Sequence, residues 1–226
     1  MHIPDGMINA GLAAGSGAVS LSAVSASLFA AKRRLDERQL PIIGLVAAFL
    51  LVIQSVHIPL VPPLSGHLIG GALAAILLGP WLGLLVMTAV VLVETTGLGY
   101  GGVSTLGANV VLGLVSVVGG YALFRGLLAL LPRTRRGFLA AGAVTAWTTV
   151  VVASAVGTAM VTYGGVLGAG QALLYITPMV VGHSVIGIGE AALTAAAVRA
   201  VMAARPDLMA TRALLPPARV DTTSAR

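Results

Sequence analysis

The stretch Leu77-Leu78-Gly79-Pro80-Trp81-Leu82 decides the fold. It lies inside a long apolar run from Gly66 to Glu94, and that run reads either as one kinked helix or as two short ones. Proline has no N–H and clashes with the preceding helical turn, so a break at Gly79-Pro80 is expected in either case. Charge separates the two readings. With a single span, Arg133, Arg135 and Arg136 fall on the outer side; with two, all 13 Lys and Arg residues fall on one side. Because basic loops stay in the cytoplasm, the two-helix reading is preferred. Each half then has only about 13 residues, roughly 20 Å of helix at 1.5 Å per residue. That is less than the ~30 Å hydrocarbon core, so neighbouring helices must shield both halves.

Outward from that run, apolar segments cover about Ile8 to Ala31, Pro41 to His57, Ala108 to Leu131, Gly137 to Val161 and Ile176 to Ala204. A Pro-rich loop holds Pro59, Pro62 and Pro63, and Gly-rich uncharged loops run from Thr95 to Gly107 and from Thr162 to Gln171. Hydrophobic residues make up 58% of the chain and charged residues 9%, against about a quarter charged in soluble domains. The expected fold is therefore an all-α bundle of seven transmembrane helices in the cytoplasmic membrane. Residues 1–204 form one transmembrane domain, and residues 205–226 form a polar cytoplasmic tail without apolar periodicity. The N-terminus carries no Lys or Arg before Lys32, which argues against a signal peptide and places it outside, with the C-terminus inside. The absence of cysteine excludes disulfides and thiolate sites. The net charge of +6 reads as topology and lipid contact, not as a nucleic-acid surface.

This topology puts His2, His57 and His67 on the outer face, with His183 within two turns of it. Met1-His2 is a potential chelate. The α-amino group, the His2 amide and His2 Nδ1 close a five-membered and a six-membered ring around one ion. One further imidazole completes a square N4 site suited to Ni(II) or Cu(II). His67, at the start of a helix after the Pro-rich loop, is the best candidate, although a capping or packing role fits it as well. Chance occurrence of His at position two is the competing reading of the whole chelate. His57 and Ser65 are candidates for support around the ion, although an interfacial role is preferred for His57. Glu94 either serves the site or reaches the headgroups. Asn109 either caps its helix or bonds a site ligand, and capping is preferred. His183 and Glu190, seven residues apart on one helix face, carry either a buried structural bond or a transport role.

Met1-His2-Ile3-Pro4-Asp5-Gly6 resembles the opening of the CbiM/NikM family, the substrate-binding membrane subunits of energy-coupling-factor cobalt and nickel transporters. Four further blocks are similar: Ser65 to Gly71, Leu78 to Trp81, Gly101 to Asn109, and Gly182 to Ala191. The resemblance implies a seven-helix subunit whose N-terminal segment (residues 1–7) inserts from outside. Metal is then bound by Met1, His2 and His67, most similarly to a NikM-type nickel subunit, with Co(II) as the other cargo. It implies no catalysis and no resident cofactor. Its partners are two ATPase subunits, a transmembrane coupling protein and a small accessory membrane subunit. Small residues Ala14, Ala18, Ala26 and Ala30 are candidates for the contact with the coupling protein. Glu94 stands where Gln is expected, His57 where Asn is common, and Tyr100 where Asp is usual. The rivals are a self-sufficient secondary metal carrier, for which Glu94 and Glu190 are the available carboxylates, and an intramembrane hydrolase using Ser184 beside His183.

Overall fold

A computed structural model describes residues 2–33, 37–165 and 168–216. Helix α1 (Ala10–Lys32) is followed by α2 (Leu40–Gln54), a hairpin of β1 (Ile58–Val61) and β2 (Leu64–Gly66), and α3 (Gly71–Gly97). Helices α4 (Leu106–Leu114) and α5 (Gly120–Leu130) run on through a π-helical turn, Val115–Gly119; α6 (Arg135–Tyr163) and α7 (Ala172–Ala204) complete the bundle. Five of these helical runs are long and apolar enough to cross a membrane, and α2 is a shorter apolar helix. This is a multi-pass membrane protein.

The break falls where the sequence puts it. Gly79 has φ 79° and ψ 173°, a left-handed, extended geometry natural to glycine, and Pro80 follows. The two arms of α3 fold back on each other: a Cβ at Gly83 would sit 3.1 Å from the Ala74 carbonyl. They are unequal, however. Helix begins at Gly71, not Gly66, so the first arm (residues 71–78) is roughly 12 Å long and the second (80–97) roughly 27 Å. Every residue from Gly71 to Gly79 is buried, which is how so short an arm is tolerated.

Pro80 cannot donate to the Ile76 carbonyl, and the turn at Gly79 also frees Leu77. Both are satisfied from far along the chain. Thr211 Oγ1 donates to Ile76 O at 2.9 Å, and Ala210 N donates to Leu77 O at 2.8 Å. The segment after α7, read from sequence as an unstructured tail, thus docks at the break, with Met209 and Thr211 each 1% exposed. Its patterning is too short for periodicity to register, and its partners are carbonyls that only the fold exposes. Residues 217–226 of that tail lie outside the described residues.

The Pro-rich stretch is also more ordered than a loop. It forms an antiparallel hairpin in which Ile58 faces Gly66 and Pro59 faces Ser65. Proline is tolerated because these two strands are the whole sheet and each leaves an edge unpaired. At the other end, Asn9 caps α1 by accepting from Leu12 N at 2.8 Å. Helix α1 crosses α4 closely, Gly107 against Gly17, and Ser20 Oγ donates to Gly107 O at 2.6 Å. Ala14, Ala18 and Ala26 face outward from α1.

Candidate metal centre

The histidines gather at one end of the bundle, around a docked N-terminal segment. Ile3 is fully buried, and its backbone is gripped on both sides. Ile3 N donates to Asn109 Oδ1 at 2.8 Å, while Asn109 Nδ2 donates back to Ile3 O at 3.1 Å. Thr105 Oγ1 and Gly102 N also donate to Ile3 O, at 2.5 and 3.1 Å. The carboxylate of Asp5 accepts from Ser104 N at 2.7 Å, Ser104 Oγ at 2.5 Å and Val103 N at 3.2 Å. These bonds, the Ser104 hydroxyl foremost, hold its pKa below the ordinary value. Position 102 must be glycine, since a Cβ there would collide with Asp5 N. Asn109 is therefore not the cap of α4, which starts after Thr105; one turn inside the helix, it reads the backbone next to His2.

With Ile3 fixed, His2 is carried inward and is 8% exposed. Its ring stacks on that of His67, with centroids 4.5 Å apart and planes 16° apart. His57 completes the cluster, its ring 5.2 Å from His67 and 5.8 Å from His2. One ring nitrogen from each of the three lies within 4.8 Å of the others. Burial holds the His2 and His67 imidazoles well below the usual histidine range, so both are neutral and offer a lone pair at neutral pH. His67 Nδ1 donates to Leu68 O at 2.8 Å, which leaves the lone pair on Nε2. Met1 lies outside the described residues.

Glu94 returns to this site on the second arm of α3, fully buried, with Oε2 3.3 Å from His2 Nε2. Among the described residues, neither Glu94 oxygen nor His2 Nε2 makes a hydrogen bond of good geometry. A buried carboxylate beside His2 and lacking such a partner is placed to accept from that ring and orient it, while the three imidazoles form a donor set that suits a divalent cation.

The turn carrying His67 is held from two helices. Glu190, on α7, accepts from Ile69 N at 2.6 Å and from Gly70 N at 2.8 Å. Gln54, at the end of α2, donates to Ile69 O at 2.9 Å. Sequence reading singled out Glu190 but missed Gln54, and also missed Thr105 as a support of the segment. A lone buried amide at the end of an apolar helix was the only available signal for Gln54. Ser65 lies in β2, two residues before His67, and is half-buried. His183 is fully buried and does not join the three-histidine cluster. Its Nδ1 donates to Met179 O at 2.8 Å, and Ser184 Oγ donates to Val180 O at 2.7 Å. Each is thus engaged with its own helix, and the two do not pair as a nucleophile and base.

The two ends of the bundle differ in charge. Following the chain, residues 2–9, 55–70, 95–105 and 164–165 meet at the histidine end through the bonds above and through Asn9 N to Gly164 O at 2.9 Å. Lys32, Arg33, Arg133, Arg135, Arg205 and Arg212 lie at or beyond the opposite helix ends, with the Gly79 turn.

The family described as "Cobalt uptake substrate-specific transmembrane region" matches residues 2–208. A Haloquadratum walsbyi protein named for metal transport is 35% identical over 94% of both chains. The cobalt transport protein CbiM of Sorangium cellulosum is 31% identical over 92% of this chain and 94% of its own length. An Archaeoglobus fulgidus protein named as a fused nickel transport protein, NikMN, is 32% identical over 94% of this chain and 69% of its own. The crystal structure of a truncated transition metal transporter shares the fold, with a TM-score of 0.81 at 23% identity, covering 90% of this chain and 99% of that one. A buried histidine cluster at one end of a membrane bundle, matched almost throughout by this profile and these relatives, places the chain in the CbiM family of substrate-specific transmembrane proteins for cobalt uptake.

Proposed function

We propose that this chain is the metal-capturing membrane subunit of an energy-coupling-factor transporter, taking Ni(II), with Co(II) as the alternative cargo, from outside the cell. The observation that carries this reading is the convergence of His2, His57 and His67 beneath a docked N-terminal segment. In the proposed site, the Met1 amine, the His2 amide and the His2 imidazole supply three nitrogens, and His67 Nε2 supplies the fourth. The amide loses its proton to the departing solvent, which Ni(II) promotes. With Nδ1 of His2 on the ion, its Nε2–H faces the Glu94 carboxylate, an arrangement that orients a metal-binding imidazole and raises its basicity.

The reading includes seven membrane passages, with the α3 hairpin counted as two, the N-terminus outside and the C-terminus inside. The segregation of cations from histidines supports that orientation. The chain has no catalytic role in this scheme; ATP hydrolysis by partner subunits, acting through a coupling protein, drives release. A self-sufficient carrier is less well supported, because Glu190 is fully engaged in holding the His67 turn and is not free to relay protons.

Adding one residue before Met1 tests the chelate. Purified protein with its native start should bind Ni(II) and show visible absorption; the extended protein should bind at least about tenfold more weakly, the lower end of losses seen when even a supporting group is removed from a metal site. Unchanged nickel binding by the extended protein excludes the amine as a ligand.

A further inference from the structure

The four nitrogens of the proposed chelate leave one imidazole of the cluster unused. His57 lies just beyond α2, half-buried where His2 and His67 are buried. Its Nδ1 donates to Ser55 O at 3.1 Å, which places the lone pair on Nε2. Tyr100 packs against the ring, with centroids 4.2 Å apart, and limits its rotation. One ring nitrogen from each of His2, His57 and His67 lies within 4.8 Å of the others. Two metal–nitrogen bonds of about 2.0–2.1 Å at a right angle put their nitrogens about 2.9 Å apart, so binding one ion draws these rings together by up to about 2 Å.

We infer that His57 is a direct ligand at the apex of the site, making it square-pyramidal. This rests on the Met1-His2-His67 square proposed above. A four-nitrogen square suits low-spin Ni(II); a fifth nitrogen on its axis drives Ni(II) to the high-spin state and weakens its in-plane bonds, whereas ions that favour five-coordination take that nitrogen without such a cost. His57 therefore sets metal choice: it raises acceptance of Co(II) relative to Ni(II). Being the more exposed of the three rings, it is also the first nitrogen an arriving ion meets.

The test loads full-length wild type and His57→Asn separately with Ni(II) and with Co(II). Asn retains a short side chain able to donate to Ser55 O. Wild-type nickel protein should be paramagnetic, with shifted proton resonances, and His57→Asn nickel protein should be diamagnetic with a planar chromophore. The ratio of Co(II) to Ni(II) affinity should fall at least about tenfold in the variant, the lower end of losses seen when even supporting groups of a metal site are removed. A diamagnetic, planar nickel spectrum in the wild type overturns the apical ligand on its own, whether or not the variant folds. An unchanged affinity ratio with identical spectra overturns it equally. The extension of Met1 separates the two ideas: if the extended protein binds nickel normally, the chelate fails, whereas planar nickel in wild type that is lost on extension means only the apex fails.

Discussion

The chain enters the bundle with irregular backbone at both ends, and the two insertions are held in opposite ways. At the histidine end, Ile3 is gripped by Asn109, Thr105 and Gly102, side chains and backbone arranged to receive a foreign strand. At the cation end, Ala210 and Thr211 donate to the Ile76 and Leu77 carbonyls that Gly79-Pro80 leaves without helical donors. The first insertion orients His2; the second repairs a helix that a membrane would not otherwise tolerate. Buried polar groups alone do not reveal which of these tasks is being done. The partners do: the site meets both the N–H and the C=O of Ile3 with side chains, whereas the repair only supplies donors to the two carbonyls left open.

The largest effect should come from Glu190→Ala. It strands the Ile69 and Gly70 amides in the interior, at about 1–3 kcal/mol each. Thermal unfolding in detergent should show a loss of roughly 2–6 kcal/mol on that basis, together with weaker nickel binding as the His67 turn loosens. If stability falls while affinity holds, Glu190 belongs with the repairs and the division drawn here is wrong. Next is Asn109→Ala, which orphans the Ile3 amide. A cost of about 1–3 kcal/mol, passed to docking of the segment, weakens nickel binding by about 5-fold to 150-fold, measured by competition with a chelator.

Thr211→Val is the control from the other end. Losing one donor should lower stability by about 1 kcal/mol, with nickel affinity unchanged. A large affinity loss there would mean that the repair reaches the site. The smallest effect concerns Asp5. Its pKa is lowered in the folded state, chiefly by the Ser104 hydroxyl, so its stabilising bonds are fully present above the ordinary aspartate value and fade as pH falls through the lower folded one. Protection of the Val103 and Ser104 amides, taken relative to the intrinsic exchange rate at each pH, should therefore hold through the ordinary aspartate range and be lost only below it. Loss of that protection at a higher pH would show that the carboxylate does not hold that turn.

Much of this was legible because membrane folding writes it locally. Gly79-Pro80 marks the break, and the placement of Arg133, Arg135 and Arg136 shows that the chain must reverse there. His2 and His67 stood out as candidates because chelate chemistry depends on atoms within two residues and one imidazole, and the structure stacks their rings together. The rest depends on partners distant in sequence. Asn109 looks like a cap until Ile3, 106 residues away, is laid against it. Gln54 is silent until the carbonyl of Ile69 arrives. The Ile58–Gly66 hairpin hides behind prolines that normally argue against strands, and the docking of Thr211 is invisible because its acceptor exists only once Pro80 has removed the usual donor.

The first arm of α3 is anchored at both ends, by Glu190 at Ile69 and Gly70 and by Ala210 and Thr211 at Leu77 and Ile76. Its length is thereby fixed in whole residues. One residue inserted between those anchors would rotate one end by about 100° against the other and lengthen the arm by about 1.5 Å, so that no single placement satisfies both sets of bonds. Substitution within this arm would leave both sets of bonds in place, whereas an insertion or deletion would break one of them.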